Sequence, residues 1–207
     1  MDKRIIITIS REYGCGGRIV GKLVAEKLGI PFYDDEIIEL TAKKTGLSKT
    51  CVREEEQKVK NKFFHNLASG GYYMEGDVVQ LHVSLADKVY LTTCEVIRDL
   101  AEESCVILGR CADYVLEDRE DVVNVFLYAN IEKRIEHAVK NYGLSDANAR
   151  KEMKKKDKYR ANHYDYYTDR KWGDRTNYDL YLNTGFLGME ETAEIIVDAV
   201  KDHFKLK

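Results

Sequence analysis

The feature that most constrains the fold is a glycine-rich turn between a β-branched run and an amphipathic helix. The run Arg4–Ile9 (RIIITI) predicts a strand that is buried on both faces. Gly14, Gly16 and Gly17 follow it, and a helix pattern then continues until Gly29, which is typical of a helix C-cap. Backbone N–H groups at such a turn can form a concave phosphate-binding site. The alternative is a turn that needs glycine for packing alone.

The turn departs from the usual phosphate-loop pattern, G-x-x-x-x-G-K-[ST]. With Gly16 as the second glycine, Arg11 stands at the first glycine, Gly17 at the lysine and Arg18 at the hydroxyl residue. Because guanidinium groups pair well with phosphate oxygens, Arg18 is the candidate for the missing positive charge. Ser10 is the nearest candidate for a hydroxyl ligand of magnesium.

Strand and helix patterns alternate along the chain, which favours an α/β fold with a parallel sheet and right-handed crossovers. We expect one domain over residues 1–207, a helical insertion over about 48–103 and a lid over about 145–176. The predicted strands after the first are a short one ending near Asp34, Cys105–Gly109, Val122–Ala129 and Tyr178–Thr184.

Polar residues follow several of these strands directly. They are Asp34, the pair Gly109-Arg110 and the pair Asn183-Thr184. Ligands of open α/β sheets bind at the carboxyl ends of the strands, so we expect these groups to face one crevice with the glycine turn. The alternatives are that Asp34 or Asp35 only caps the next helix, and that Arg110 forms a structural salt bridge, for example with Asp113.

A basic segment follows Ser145, a plausible helix N-cap. Residues 150–175 contain ten Lys and Arg and five Asp and Glu, although the whole chain has a net charge of −3. Such a segment suits a lid that closes over phosphates, and a solvated helix with ion pairs is the alternative. Arg160 and Arg170 are its best phosphate ligands, because arginine can bind two oxygens at once. Its tyrosines and Trp172 either stack on a base or pack the lid.

Composition excludes several classes of protein. The near balance of 33 basic and 36 acidic residues argues against a general nucleic-acid binder. No apolar run is long enough for a membrane span, and the N-terminus does not resemble a signal peptide. Five scattered cysteines without zinc-like spacing predict free thiols in the cytoplasm. Cys15 lies at a helix N-terminus, which predicts a lowered thiol pKa.

Together these motifs resemble the cytidylate kinase-like branch of the P-loop nucleoside monophosphate kinases. The resemblance rests on ITISREYGCGGRIVGKLVAEKLGIPFYDDEII, VILGRCADYVL, VFLYANIEKRI and DKYRANHYDYYTDRKWGD, and on YDLYLNT. It implies a three-layer P-loop-type fold around a parallel sheet of about five strands. It also implies an ATP site with Mg²⁺ at the glycine turn, a monophosphate-binding insertion and a basic lid.

The resemblance also implies roles for single residues. Backbone groups from Gly14 through Cys15, Gly16 and Gly17 to Arg18 would hold the ATP phosphates. Asp34 would help to place the acceptor, Arg110 would grip its phosphate, and Arg134 matches a basic residue on the helix after the fourth strand. Asp157 and Arg160 match the charged cluster of the lid. The metal ligands are not assigned.

The expected function is ATP-dependent phosphoryl transfer to a small acceptor, a nucleoside monophosphate such as CMP. Arg18, Arg110 and Arg160 would neutralise the transferred group. The alternative is a nucleotide- or phosphate-binding protein of the same fold with lost or weak kinase activity, because the loop lysine is absent. The expected oligomeric state is a monomer or a homodimer. An apolar stripe around Phe63 to Val89 would form the dimer interface, and the preferred alternative is that this stripe faces the chain's own core.

Overall fold

The computed structural model describes residues 4–58 and 84–205 of the chain. A five-stranded parallel sheet forms its centre, in the strand order β2-β3-β1-β4-β5. The strands are β1 (Ile6–Arg11), β2 (Phe32–Tyr33), β3 (Cys105–Leu108), β4 (Val122–Tyr128) and β5 (Leu180–Asn183). The predicted α/β class and parallel sheet are therefore confirmed.

Strand β1 is the middle strand, and it pairs with β3 on one side and β4 on the other. Ile5, Ile7 and Ile9 face one apolar core, whereas Ile6 belongs to the core on the opposite face. A strand that is buried on both faces needs apolar side chains in both directions, which explains the continuous run of isoleucines. The strand is displaced by two residues from its predicted bounds, and it ends at Arg11.

One face of the sheet is covered by α1 (Gly17–Leu28) and α9 (Met189–Phe204), which pack against each other. Helix α1 ends at Gly29, whose φ of 65° is left-handed, as the sequence predicts. The other face carries α2 (Asp35–Thr45), α4 (Leu85–Leu100) and the short α5 (Ala112–Val115). The result is a three-layer arrangement.

The predicted insertion is described only in part. Helix α3 (Lys49–Lys58) packs with α2 and α4 around a small core that contains Val52 and Val89. Most of the predicted apolar stripe from Phe63 to Val89 lies outside the described residues. Val89 itself is buried within the chain's own core.

Two helices follow β4. Helix α6 (Ile131–Tyr142) packs on α7 (Asp146–Thr168), a helix of 23 residues that contains most of the basic segment. Ser145 occupies the N-cap position of α7, but its side chain makes no capping hydrogen bond. A 3₁₀ turn (Arg175–Asn177) and α8 (Thr184–Leu187) complete the described elements. None of the described helices has the length and apolar character that crossing a bilayer requires.

Candidate active site

The glycine turn connects β1 to α1 in a conformation that only glycine adopts without strain. Gly14 has a φ of 84° and Gly16 a φ of 79°. Space is short as well, because a Cβ on Gly14 would lie 2.9 Å from the Arg134 carbonyl oxygen, and one on Gly16 would lie 2.2 Å from the end of Met189. The Arg18 N–H at the start of α1 donates to no backbone carbonyl of the described residues. The turn therefore needs glycine for packing, and it also presents a backbone N–H without a carbonyl partner at the start of α1.

Arg11 occupies the space beside the turn, and sequence reasoning did not select it as a functional residue. A Cβ on Gly17, the lysine position, would lie 2.8 Å from Arg11 Cγ. A Cβ on Gly109 would lie 2.0 Å from Arg11 Nη1. The side chain therefore extends from the end of β1, past the first residue of α1, to the end of β3. The available signal was a charged residue that ends an otherwise apolar strand at the first-glycine position.

A cavity of about 220 Å³ opens at the carboxyl ends of β1 and β3. Arg11, Arg110 and Arg160 line it together, and Lys156 adds a fourth basic side chain. The remaining described residues of its wall are Ser10, Glu56, Gln57, Gly109, Cys111, Tyr159, His163, Tyr164 and Trp172. A cavity with this many cations suits an anionic ligand.

Asp34 joins two of the arginines that the sequence predicts for the site. Its buried carboxylate accepts a hydrogen bond from Arg18 Nε at 2.7 Å and lies 3.3 Å from Arg110 Nη1. Arg18 also pairs with Asp35 at 2.9 Å, and the Arg18 side chain is 53% exposed. Asp34 occupies the N-cap position of α2, but its side chain makes no capping hydrogen bond. The carboxylate therefore organises arginines, and the simple helix-cap alternative is wrong.

Arg110 is held from two sides. Its Nε donates to Glu56 at 3.2 Å, in addition to the contact with Asp34. Burial alone would lower the pKa of Arg110, but the two carboxylates raise it above the ordinary value. Arg110 therefore does form salt bridges, as one alternative predicts, but with Asp34 and Glu56 rather than with Asp113, whose carboxylate accepts the Tyr164 hydroxyl at 2.6 Å. Arg110 has a φ of 56°, so its backbone is strained where its side chain enters the cavity.

A second ion-pair network ties α6 and α7 to the glycine turn. Asp157 on α7 accepts the Tyr13 N–H at 2.7 Å and pairs with Arg134 on α6. Arg134 is buried, donates to the Tyr13 carbonyl at 2.7 Å and lies 3.1 Å from Glu12. Arg160 lies 3.2 Å from Asp157 and 3.3 Å from the Arg11 carbonyl oxygen. The predicted lid helix is thus fastened directly to the turn.

The pKa values of His163 and Cys15 are also perturbed, in opposite directions. Burial, with a smaller contribution from Arg110, lowers the pKa of His163 to about 4, so its imidazole is neutral at pH 7. The expectation for Cys15 is wrong. Burial raises the pKa of its thiol to about 11 and outweighs the hydrogen bond from the Gly17 N–H at the helix start.

A second cavity, of about 310 Å³, lies on the other side of the turn. Gly14 and Cys15 line it, together with residues of α6 and with Thr184 and Gly185 after β5. The Thr184 hydroxyl donates to the Cys15 carbonyl at 2.7 Å, which holds the end of β5 against the turn. The predicted strand-end groups therefore lie around two cavities on either side of the glycine turn, rather than one crevice.

Arg170, which the sequence predicts as a phosphate ligand, lines neither of these two cavities. Arg170 pairs with Glu117 and lies 5.1 Å from the centre of the Tyr114 ring. By contrast, Tyr159 and Trp172 line the first cavity. Of the arginines predicted on α7 and after it, Arg160 is the one in the cavity wall.

Two sequence comparisons relate most of the chain to known proteins. A model of the cytidylate kinase-like family matches residues 6–185. A curated cytidylate kinase from Archaeoglobus fulgidus is 26% identical over 197 residues, and the match covers 94% of each chain.

Solved structures agree on the fold. The crystal structure of an uncharacterized protein from Eubacterium ventriosum superposes with a TM-score of 0.69 at 25% identity, and the match covers 96% of this chain and 99% of that one. A shikimate kinase from Acinetobacter baumannii, solved with shikimate, has a TM-score of 0.53 at 16% identity, covering 100% of this chain and 97% of that one. At that identity the likeness concerns the fold alone.

Proposed function

The chain belongs to the cytidylate kinase-like family, and we propose that it transfers a phosphoryl group from ATP to a nucleoside monophosphate such as CMP. The observation that carries this proposal is the first cavity, where Arg11, Arg110 and Arg160 meet beside the glycine turn. Phosphoryl transfer needs little covalent help from a protein. It needs reactants held in line and positive charge around the migrating group.

The donor nucleotide would bind at the second cavity, with its phosphates on the turn. The Arg18 N–H at the start of α1 and the neighbouring amides of the turn would hold phosphate oxygens, and the positive end of the helix dipole would add to the attraction. The nucleoside would lie against α6 and the segment after β5. This arrangement leads the terminal phosphate toward the first cavity.

The acceptor would bind in the first cavity. Arg110 would hold its phosphate, since the guanidinium is fixed by Asp34 and Glu56 and still lines the cavity wall. Tyr159 and Trp172 supply aromatic surface for a base in the same wall. Arg18 would act through Asp34, as a positioning residue that keeps the carboxylate beside Arg110.

Helix α7 would serve as the lid. Arg160 would neutralise charge on the transferred group, and Asp157 and Arg134 would hold the lid helix against the turn. Closing such a lid excludes water, which strengthens the charge interactions and suppresses hydrolysis of ATP.

The residues of the site could bind Mg²⁺ only together with the nucleotide. The described residues contain no cluster of three acidic, histidine or cysteine ligands. A nucleotide-bound Mg²⁺ needs only one or two protein oxygens, because phosphates and waters supply the rest. Ser10 lines the first cavity, and Asp34 lies 3.3 Å from Arg110, which lines it, so Ser10 and Asp34 would supply oxygens to the ion. The ion would neutralise charge on the phosphates as they shift.

The test is a direct assay of ATP, Mg²⁺ and a panel of nucleoside monophosphates, with both products separated and quantified. We expect one acceptor to be phosphorylated, and the variants R110M and R160M to lose most of the activity. The variant R98M is the matched control, because Arg98 is exposed on α4.

The competing function is nucleotide binding without catalysis, which the glycine at the lysine position favours. Tight ATP binding without transfer to any acceptor on the panel would support this alternative. Full activity in R110M and R160M would also refute the assignment of the first cavity.

A further inference from the structure

The side chain of Arg11 is enclosed by two residues that have no side chains of their own. A Cβ on Gly17 would lie 2.8 Å from its Cγ, and a Cβ on Gly109 would lie 2.0 Å from its Nη1. Any larger residue at position 17 would collide with the stem of Arg11 close to its backbone, at 2.8 to 3.0 Å. The absence of a lysine at position 17 and the presence of Arg11 are therefore two aspects of one packing arrangement.

Arg11 also differs from its neighbours in its partners. Among the described residues, no carboxylate oxygen lies within 4 Å of its guanidinium. The other arginines around the turn all have such a partner: Arg18 and Arg110 pair with Asp34, and Arg134 and Arg160 with Asp157. Arg11 is partly buried and lines the first cavity, where a charge without a carboxylate partner favours an anionic ligand as its counter-ion.

The local charge makes this lack more pronounced. Burial, the charge of Arg160 and the charge of Arg110 lower the pKa of Arg11 to about 9, although Asp34 acts in the opposite direction. The guanidinium nevertheless remains protonated at pH 7. An anion that entered the cavity between these cations would relieve their mutual repulsion and supply the missing partner.

We propose that Arg11 is the residue that contacts the terminal phosphate of ATP and supplies the positive charge that phosphate loops usually take from lysine. This inference rests on the proposed function and names the catalytic cation of that site. The usual lysine would project from the first residue of the helix. Here the cation projects from the last residue of β1 into the same space, because Gly17 leaves that space open.

The first experiment measures binding of ATP with Mg²⁺ by isothermal titration calorimetry to the full chain. The variants are R11M, R11K and the exposed control R98M, each checked for an unchanged melting transition. We expect R11M to bind about 10- to 100-fold more weakly, as for loss of a charge-assisted hydrogen bond. R11K should recover part of the affinity, and R98M should match the wild type. A folded R11M that binds within twofold of the wild type would overturn the proposal.

The second experiment moves the cation back to the usual position. The variant R11G/G17K restores the pattern G-x-x-x-x-G-K, whereas G17K alone forces a side chain into Arg11. We expect the double variant to bind ATP at least tenfold more tightly than R11G, and G17K to be poorer than the wild type. A double variant that binds no more tightly than R11G would refute the proposal, and this comparison holds even if R11M folds poorly.

The two proposals can fail separately. If the wild type binds ATP but phosphorylates no acceptor, the proposed function fails, whereas the binding comparisons still decide the role of Arg11. If transfer occurs, kcat should fall by about 10²- to 10³-fold in R11M, the usual effect of removing one preorganised charge donor. If the wild type does not bind ATP at all, both proposals are wrong.

Discussion

Gly109→Ala tests the role of Arg11 by displacing its side chain without altering any charge. A methyl group at this position would lie 2.0 Å from Arg11 Nη1, so the guanidinium must leave its place over the end of β3. Gly109 also has a φ of +74°, which costs an alanine energy wherever it occurs. The variant thus combines a backbone effect with a displacement of Arg11, and the two need to be separated.

Gly46→Ala separates them. Gly46 has the same φ of +74° at the end of α2, but a Cβ there has no neighbour within 4 Å. A left-handed alanine costs about 1–2 kcal/mol. The reduced entropy of the unfolded chain returns about 0.4–1 kcal/mol. Both variants should therefore lose roughly 1 kcal/mol, which lowers the melting temperature of a chain of this size by about 2–4 °C.

The assay compares urea unfolding and ATP titration calorimetry for the two variants and the wild type. We expect similar losses of stability but different binding. G46A should retain the wild-type affinity for ATP, and G109A should bind about tenfold more weakly or worse, because Arg11 no longer reaches the phosphate. If G109A and G46A bind ATP equally well, the position of the Arg11 guanidinium does not matter and the reasoning is refuted.

Three further predictions concern ionisable groups. The free energy of unfolding should fall by at most about 3 kcal/mol as the pH is lowered from 6.5 to 4. The reason is that His163 is protonated over this range in the unfolded chain, whereas in the folded protein its pKa is about 4. Urea titrations should show this decline reduced in H163Q, and an equal slope in both would contradict it. Iodoacetamide should label Cys51 before the buried Cys15 in native protein, as read by mass spectrometry, and should label both in denaturant. R134M should lower the free energy of unfolding in urea by about 3–5 kcal/mol, because it removes a buried cation from two carboxylates. The exposed control K133M should lower it by about 0.5 kcal/mol or less. Equal losses would show that the Arg134 ion pairs do not stabilise the fold.

The sheet was predictable because its strands are short apolar runs between turn signals. The run Cys105–Leu108 is buried completely, and the run Val122–Tyr128 pairs with β1 along its length. The prediction was poorer in detail at β1, where Ser10 and Arg11 look like turn residues but continue the strand. Their backbones pair with Phe126 and Leu127 of β4, and this tertiary pairing extends the strand beyond its apolar part.

The candidate site was harder to predict, because the sequence shows positions along the chain but not the direction of side chains. Arg18 lies closest to the missing lysine in sequence, yet its guanidinium turns to Asp34 and Asp35 across the surface of α1 and α2. Arg11 is six residues before the lysine position, yet its side chain fills the space beside it. The positions of Asp34 and Arg110 were predictable, since Asp34 directly follows β2 and Arg110 follows β3 after one glycine.

The charges around the turn make sense only as a set. Asp34 and Asp157 each pair with two arginines, so two carboxylates fix four guanidinium groups, three on helices and one on the turn after β3. Arg11 lies between these two groups and has neither carboxylate as a partner. If the same fold carried its cation on the helix, position 11 would need to be small and position 17 long. Here the sizes are exchanged, and Gly109 supplies the room that the longer guanidinium needs. The missing lysine is therefore better explained as a cation supplied from β1 than as a loss of the charge that phosphoryl transfer requires.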